Sequence, residues 1–270
     1  MGKLQVLVAT MEQNDLSKVK QMNIFCDAII ANQANTNDYI ENKFSFGTVK
    51  MITTQTKGVG INRNMALLYA DGDILLFSDD DMAYDNDYVE TVLTAFKELP
   101  NADAIIFNIK PLYHDSSIRI NHSIKRLKWY NALNYGVVRM AVKSTSIRRE
   151  NIMFNRCFGG GTSFSSGEDS IFIMDMLRKG LKIYTYPKQI AVLDNETVKS
   201  TWFKGYNEKY FYDKGLFFRC ISRNLATFLC LQDLIRHVEY KESGMTFLKA
   251  FRLMKNGIKG FNNLIEYKNI

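Results

Sequence analysis

The sequence predicts an α/β protein with a mostly parallel central sheet and helices on both of its faces. Short apolar runs alternate with helix-like periodicities through the N-terminal part of the chain. The runs contain no turn residues, which is typical of strands buried on both faces. A cluster of carboxylates follows one run, at the place where parallel sheets usually bind ligands. These three observations define the expected fold class.

The elements of the N-terminal half follow from these patterns in chain order. The predicted strands are residues 4–9, 28–31, 49–52, 74–77 and 104–107. Apolar residues at helical spacing mark a first helix near Leu16, Val19 and Met22 and a second over residues 65–69. A third helix runs from Tyr88 to Phe96. Strand–helix alternation at this spacing is typical of parallel sheets.

A second ordered block follows a less regular section, residues 108–166, which contains the glycine run 159–161. The pattern predicts a helix that begins after Gly167 and ends at Gly180, since glycine is common just past a helix C-terminus. The apolar residues 183–186 then predict a strand that ends at Pro187.

Charge divides the chain into residues 1–202 and residues 203–270. The first part carries 23 basic and 22 acidic residues, and the second carries 12 basic and six acidic residues. We expect the second part to be a helical extension that is rich in aromatic residues. Such a segment can bind an anionic membrane surface, although a packed appendage with a solvated basic face explains the composition equally well. No nucleic-acid-binding motif accompanies the charge, so we expect no nucleic acid partner.

The cysteines and the apolar segments predict a cytoplasmic location. The four cysteines form no CxxC pair, so we expect reduced, buried thiols and no zinc site. The N-terminal apolar run is too short for a signal peptide, and charges interrupt every stretch long enough to span a bilayer. Peripheral attachment to the inner face of the cytoplasmic membrane is compatible with the basic extension.

The carboxylate cluster Asp79-Asp80-Asp81 comes directly after the buried run 74–77. Asp79 and Asp81 are two residues apart, a spacing that can turn both carboxylates to one side of the chain. Hard oxygen ligands of this kind suit Mg²⁺ or Mn²⁺, ions that usually hold phosphates as well. The alternative is that the acids cap the following helix. Repulsion among three adjacent carboxylates favours the metal interpretation.

A second acidic pair, Glu168 and Asp169, stands at the predicted start of a helix. Acids stabilise helix N-termini, so a structural role explains the pair. Two acids behind a glycine can equally supply a general base. The pair alone does not distinguish these roles.

The motifs in this order resemble those of the family 2 glycosyltransferases. The matching segments are the opening strand with Ala9-Thr10, residues 57–67, residues 70–81, and residues 167–169 with Phe172 and Gly180. Together they extend over about residues 3–200. The resemblance implies the GT-A fold, a Rossmann-like, mixed but mostly parallel sheet flanked by helices, here over residues 1–202. Residues 203–270 would then be the C-terminal helical extension.

The resemblance also implies roles for individual residues. Asp79 and Asp81 would be the metal-binding acidic pair, with Asp81 the more direct ligand and Asp79 nearer the nucleotide. Asp169 would be the catalytic base, with Glu168 positioning the acceptor or the base. The implied nucleotide-sugar-binding residues are Thr10, Asn32, Gln33, Lys57, Arg63, Asp79 and Asp80. Arg63 is equally well explained as an ion-pair partner of the aspartates.

Two features depart from the pattern of the family. Members often have an acid where Asn32 or Gln33 stands, which leaves the choice of nucleotide base open. Many also have a histidine in the stretch that corresponds to residues 191–196, where this chain has none. Asp194 or Glu196 is a candidate third metal ligand, unless Asp79 and Asp81 suffice.

Trp202 follows that stretch. It is a candidate for stacking on a sugar or lining an active-site lid, while a core or membrane-interface position is an equal alternative.

The implied activity is that of an inverting glycosyltransferase of the hexosyltransferase type. It would move a sugar from a nucleoside-diphosphate sugar, a UDP-sugar by expectation, to a hydroxyl of a glycan or lipid-linked acceptor in bacterial surface polysaccharide assembly. A nucleotidyltransferase would normally have a glycine-rich loop after the first strand, where this chain has residues 11–14 without glycine. A non-catalytic sugar-binding or membrane-binding module is a third hypothesis, and the two intact acidic motifs argue against it.

Overall fold

The computed structural model describes residues 2–111, 119–193 and 205–266. The chain divides into two compact units. The first unit comprises Met1–Cys157 with Glu168–Val198, and the second comprises Phe158–Gly167 with Lys199–Ile270. The segment Phe158–Gly167 therefore belongs to the same unit as the C-terminal part of the chain. The expected division at residue 202 places this segment in the N-terminal part instead.

The described residues of the first unit form a ten-stranded sheet. Its strands are β1 (Leu4–Met11), β2 (Asp27–Gln33), β3 (Asp38–Phe44), β4 (Gly47–Thr54), β5 (Ile74–Asp79), β6 (Met82–Tyr84), β7 (Ala104–Pro111), β8 (Lys125–Arg126), β9 (Met140–Lys143) and β10 (Ile183–Leu193). The spatial order is β3-β4-β2-β1-β5-β9-β7-β10-β6, and β8 pairs with β10. Strands β4, β2, β1 and β5 are parallel to one another, as are β7 and β10. The predicted mixed, mostly parallel sheet is thus confirmed.

The helices of the first unit are α1 (Ser17–Gln21), α2 (Val59–Tyr69), α3 (Tyr88–Glu98), α4 (Ser144–Arg149) and α5 (Glu168–Arg178). The predicted end of α5 is confirmed at Gly180, which has a φ of +79°. The N–H of Gly180 donates to the carbonyl of Leu177, and the N–H of Leu181 donates to the carbonyl of Met176. This pair of bonds satisfies carbonyls that the last turn would leave unpaired.

The predicted end of the last strand at Pro187 is wrong. Strand β10 continues through this proline to Leu193. Its pairing with β7 shifts register between Thr185 and Gln189, so Pro187 lies in an irregular part of the ladder. A proline costs little there, because its missing N–H interrupts no regular hydrogen bond.

Strand β6 lies between the carboxylate cluster and α3, which begins only at Tyr88. The aspartates Asp79 to Asp81 therefore do not cap the helix that follows them, and the helix-cap alternative is wrong.

The thiol prediction holds for only part of the cysteines. No disulfide joins any of the four, all of which lie in the described part of the chain; Cys26 and Cys230 are buried, Cys220 is half-buried and Cys157 is exposed. Burial raises the pKa of the Cys26 thiol to about 11 and that of Cys230 to about 12. The expectation of a buried thiol is wrong for Cys157, which follows an irregular polar stretch.

The second unit contains α6 (Glu208–Ile221), α7 (Ala226–Arg236) and α8 (Phe247–Glu266), which pack against one another. The Asn207 side chain caps α6 by accepting a hydrogen bond of 2.9 Å from the Tyr210 N–H. The segment Phe158–Gly167 joins the unit through Asp213 of α6, whose carboxylate accepts hydrogen bonds from the backbone and hydroxyl of Ser165. No helix among the described residues is long and apolar enough to cross a membrane.

Helices α6 and α8 approach closely at two glycines. A Cβ on Gly215 of α6 would overlap the Met254 carbonyl of α8, and a Cβ on Gly257 of α8 would overlap the Tyr212 carbonyl of α6. The crossing therefore requires the absence of a side chain on each helix.

We expect Gly215→Ala to destabilise the second unit by about 1–3 kcal/mol, although alanine is normally the better helix former. The reason is the overlap with backbone, which no side-chain rotation relieves. Urea unfolding followed by circular dichroism measures this, with Asn256→Ala on the exposed face of α8 as control. A Gly215→Ala protein as stable as Asn256→Ala would contradict the close crossing.

Candidate active site

The ends of β1 and β5 bring the first two groups of the site together. The strands are parallel neighbours in which Ala9 pairs with Asp79, so Thr10 and the aspartates leave the sheet at the same edge. The Thr10 hydroxyl donates a hydrogen bond to Asp80 Oδ2. Lys18 Nζ donates to the Asp80 carbonyl oxygen at 3.3 Å. Asp80 is thus held by its neighbours in the first unit.

Asn62 fixes α2 at this edge of the sheet. Its Nδ2 donates to the carbonyl of Thr10 at 3.0 Å and to that of Ala31 at 2.8 Å. These carbonyls lie at the end of β1 and near the end of β2. These hydrogen bonds anchor α2, which carries Arg63 as its next residue, at the edge of the sheet where the acids lie.

Arg63 joins the two acidic motifs. Its Nη2 donates to Asp79 Oδ1 at 2.9 Å, and its Nη1 donates to Asp169 Oδ1 at 2.6 Å. Nη1 also lies 3.5 Å from Glu168 Oε1. The Arg63 side chain is 5% exposed, and its guanidinium lies 5.5 Å from the centre of the Phe154 ring. Burial alone would lower the pKa of Arg63, but the carboxylates of Asp169, Asp79 and Glu168 raise it.

The aromatic core beneath Arg63 fixes α5 against β5. Phe172 of α5 stacks on Phe154 with ring centres 4.1 Å apart. Phe77 of β5 meets both rings edge-on, at 5.3 Å from Phe154 and 5.5 Å from Phe172. This packing holds the strand of the first acidic motif beside the helix of the second.

Both oxygens of Asp169 are held. Oδ1 accepts from Arg63, and Oδ2 accepts from the Val137 N–H at 3.0 Å. The side chain is nevertheless 24% exposed, so a substrate can reach it. Glu168 is more deeply buried. Burial, and then the charge of Asp169, raise the pKa of the Glu168 carboxyl to about 7, against the opposing effect of Arg63.

Asp81 is the one acid of the cluster with a buried, unpartnered oxygen. Its Oδ1 accepts no hydrogen bond from any residue that the structure describes. Burial, followed by the charges of Asp79 and Asp80, raises the pKa of Asp81 to about 6. A buried carboxylate oxygen without a donor, beside further carboxylates, fits a hard divalent cation. Within the described ranges no group of three or more His, Cys, Asp or Glu side chains could hold a metal ion. Phosphate and water oxygens would have to complete the shell.

The structure also places the remaining predicted residues. Asn32 is fully buried, and its side chain is hydrogen-bonded to the backbone of Gln13 and to the Thr53 hydroxyl. Gln33 Nε2 donates to the carbonyl of Gly58 at 3.1 Å. Lys57 is exposed. These contacts use the Asn32 amide entirely within the protein, as a tie between β2 and the loop after β1.

Three predicted residues lie outside the part of the chain that the structure describes. These are Asp194 and Glu196, the candidate third ligands, and Trp202, the candidate acceptor or lid residue. Their roles stay predictions.

The structure adds three groups to the site that the sequence does not predict: Asn62, Phe154 and the Val137 N–H. Asn62 carries a signal, since an amide at a position that faces the sheet needs internal partners. A backbone N–H such as that of Val137 carries none, because every residue except proline has one.

We expect Arg63→Met to lower the free energy of unfolding by about 3 kcal/mol, because it leaves several carboxylates together without their cation. Urea unfolding of the variant measures the loss. The control is Arg149→Met, which removes an exposed ion pair with Glu150 and should leave stability close to that of the wild type. Equal stability of the two variants would show that the Arg63 cluster does not hold the site together.

Comparisons with known proteins concern the family and the fold of this chain. A family model described as Glycosyl transferase family 2 matches residues 29–213. The crystal structure of S. aureus TarS 1–349 in complex with UDP-GlcNAc superposes with a TM-score of 0.68 and 14% sequence identity, covering 96% of this chain and 80% of that chain. The mannosyltransferase PcManGT from Pyrobaculum calidifontis, in complex with GDP-Man and Mn²⁺, gives a TM-score of 0.51 and 12% identity, covering 95% and 69%.

A search of curated protein sequences finds no significant match. The structural similarities, at these identities, establish the fold. Because the family model covers well over half of the sequence, the chain belongs to glycosyltransferase family 2.

Proposed function

We propose that this protein is an inverting glycosyltransferase. It moves a sugar from a nucleoside-diphosphate sugar to a hydroxyl of a glycan or lipid-linked acceptor. The donor that we propose is a UDP-sugar. The observation that carries the proposal is the pair of contacts from Arg63 to Asp79 and to Asp169. Through these contacts the buried cation Arg63 binds both Asp79, the acid expected beside the nucleotide, and Asp169, the acid expected to act as the base.

The reaction follows from the placement of Asp169. Its carboxylate takes the proton of the acceptor hydroxyl while the acceptor oxygen attacks the anomeric carbon. The bond from that carbon to the phosphate oxygen breaks, and the nucleoside diphosphate leaves from the opposite face with the electron pair. One displacement inverts the anomeric centre. General base catalysis of this kind contributes roughly 10²–10⁴-fold.

The other residues position the base and the donor. Arg63 and the Val137 N–H fix the orientation of Asp169, and Glu168 lies beside it. Asp79 and Asp81 would hold Mn²⁺ or Mg²⁺, which when bound offsets the charge of the departing diphosphate. The unpartnered oxygen of Asp81 supports this assignment. So does the fold relative PcManGT, which is described in complex with GDP-Man and Mn²⁺.

The setting proposed for this activity is the assembly of a surface polysaccharide at the inner face of the cytoplasmic membrane. Residues 1–202 would carry the transfer site. Residues 203–270 would be the extension through which the protein reaches a membrane-bound acceptor, which their net charge of +6 supports.

We expect Asp169→Asn to retain donor binding and to lose transfer by at least about 10²-fold, because the amide cannot accept the acceptor proton. Release of nucleoside diphosphate measures transfer, and calorimetry measures binding. The control is Asp175→Asn on the same helix, whose carboxylate pairs with Arg178 at the surface. Turnover of Asp169→Asn near that of Asp175→Asn would remove Asp169 from the role of base.

We expect Asp81→Asn to abolish the metal dependence of nucleotide binding, since one anionic ligand is lost while the shape is kept. Calorimetry with a panel of nucleoside diphosphates and their sugar conjugates, in Mn²⁺, in Mg²⁺ and with chelator, tests this. Asp87→Asn, an exposed acid before α3, serves as control and should bind like the wild type. Metal-dependent binding that survives in Asp81→Asn would exclude Asp81 as a ligand.

A further inference from the structure

Helix α7 is apolar on two opposite faces. One face packs into the second unit through the buried residues Ala226, Cys230 and Leu234. The other face points to solvent and is also apolar. We call it the α7 outer face; within the helix it comprises Phe228, the half-buried Leu231 and Ile235, and the exposed Leu225 and Val238 flank it at the two ends.

The α7 outer face is a continuous stripe and not a set of scattered side chains. Phe228, Leu231 and Ile235 recur every three or four residues, which places them along one side of α7. Phe228 is 60% exposed and Ile235 is 68% exposed. Large apolar side chains in a contiguous exposed patch mark a surface that binds something.

Exposed cations accompany this stripe. Arg223 and Arg236 lie on or beside α7, Lys241 follows it, and further basic residues lie on the exposed face of α8. Those on α8 are Arg252, Lys255 and Lys259. Within the part of the chain that the structure describes, none of these six cations belongs to an ion pair.

The acids of the same unit are largely used internally. Asp213 pairs with Lys209, Asp233 with Lys214, and Glu208 with Lys249. Glu239 and Glu242 are exposed near the C-terminal end of the stripe. On and next to α7 the exposed charges outside these pairs are Arg223, Arg236 and Lys241 against Glu239 and Glu242, a small positive excess, and the α8 cations add to the positive charge of the unit as a whole.

We propose that the α7 outer face docks the protein onto an anionic lipid bilayer. Phe228 and Ile235 enter the boundary between headgroups and acyl chains, while the cations contact lipid phosphates. The inference deepens the membrane setting of the proposed function by naming the surface, and it is independent of the chemistry at Asp169.

Charge decides between a bilayer and a second copy of the chain. In a two-fold dimer the same face would meet itself, which would bring two patches of the same net positive sign together, with Glu239 and Glu242 offsetting part of the repulsion. Cations confronted with cations repel one another, whereas the surface of an anionic bilayer attracts them. Apolar burial alone would serve either partner, so the positive surround favours the bilayer.

The test is co-sedimentation of the full chain with phosphatidylcholine vesicles, with and without phosphatidylglycerol. The wild type should bind the anionic vesicles, and added salt should weaken the binding. Phe228→Glu and Ile235→Glu should each lower the partition coefficient at least about tenfold, because an apolar anchor is lost. Arg236→Gln should lower it roughly fivefold.

Leu68→Glu is the matched control. Leu68 lies on α2 of the first unit and is 70% exposed, close to the value for Ile235, and the change in charge is the same. Its partition coefficient should stay within about twofold of the wild type. Circular dichroism melts confirm that each variant is folded, as expected for substitutions at exposed sites.

Absence of binding by the folded wild type, or an equal loss in Leu68→Glu and Ile235→Glu, would overturn the proposal. So would a dimer in light scattering that Phe228→Glu dissociates while vesicle binding is absent; the face would then belong to a second copy. Nucleotide binding by the same samples separates this result from the proposed activity. Vesicle binding without nucleotide binding counts against the transferase alone, and the reverse counts against docking alone.

Discussion

The buried guanidinium of Arg63 is the constraint on which the first unit's site depends. A charge taken almost completely out of water is tolerated only with close counter-charges and hydrogen bonds. Asp79 at the end of β5 and the acids at the start of α5 supply them. One planar guanidinium must reach all of these carboxylates at once. The strand β5 and the helices α2 and α5 therefore have little freedom to move relative to one another. The aromatic stack of Phe77, Phe154 and Phe172 then fills the space beneath it.

The same interaction leaves the site with more negative than positive charge. Arg63 is shared among Asp79, Glu168 and Asp169, while Asp80 is held by the Thr10 hydroxyl and the Lys18 ammonium lies near its backbone. Asp81 keeps a buried oxygen without a donor. A diphosphate that approached this edge of the sheet alone would meet net repulsion. This imbalance is the physical reason for proposing that a divalent cation accompanies the donor, since it would satisfy the carboxylates and the phosphates together.

The sequence predicts what is local and misses what is joined across the chain. The parallel strands and the helix that ends at Gly180 follow from short-range patterns, and all of them are found. The sequence does not predict strand β3, because six of its seven residues are exposed and polar residues separate Ile40 from Phe44, so it lacks the apolar run by which buried strands are found. The predicted strand end at Pro187 is wrong because the ladder is irregular there, so the missing N–H of the proline breaks no regular hydrogen bond. The contact from Arg63 to Asp169 joins residues 106 positions apart in the sequence, so no local pattern predicts it. For this reason the sequence alone does not distinguish an ion-pair role of Arg63 from a donor-binding role.

The second unit combines two features that each cost stability in an isolated chain. Like charges accumulate there, with 12 basic and six acidic residues in 203–270, and repulsion among them opposes compaction. A helix in the same unit exposes Phe228 and Ile235 to water, which forfeits the gain from burying them. Neither the excess of positive charge nor the exposed apolar side chains contribute to the close crossing of α6 and α8 at Gly215 and Gly257, because that crossing depends on backbone contact. An anionic bilayer relieves both costs at once, by accepting the apolar side chains and neutralising the cations. A neutral apolar partner would relieve only the first cost, and a free anion only the second.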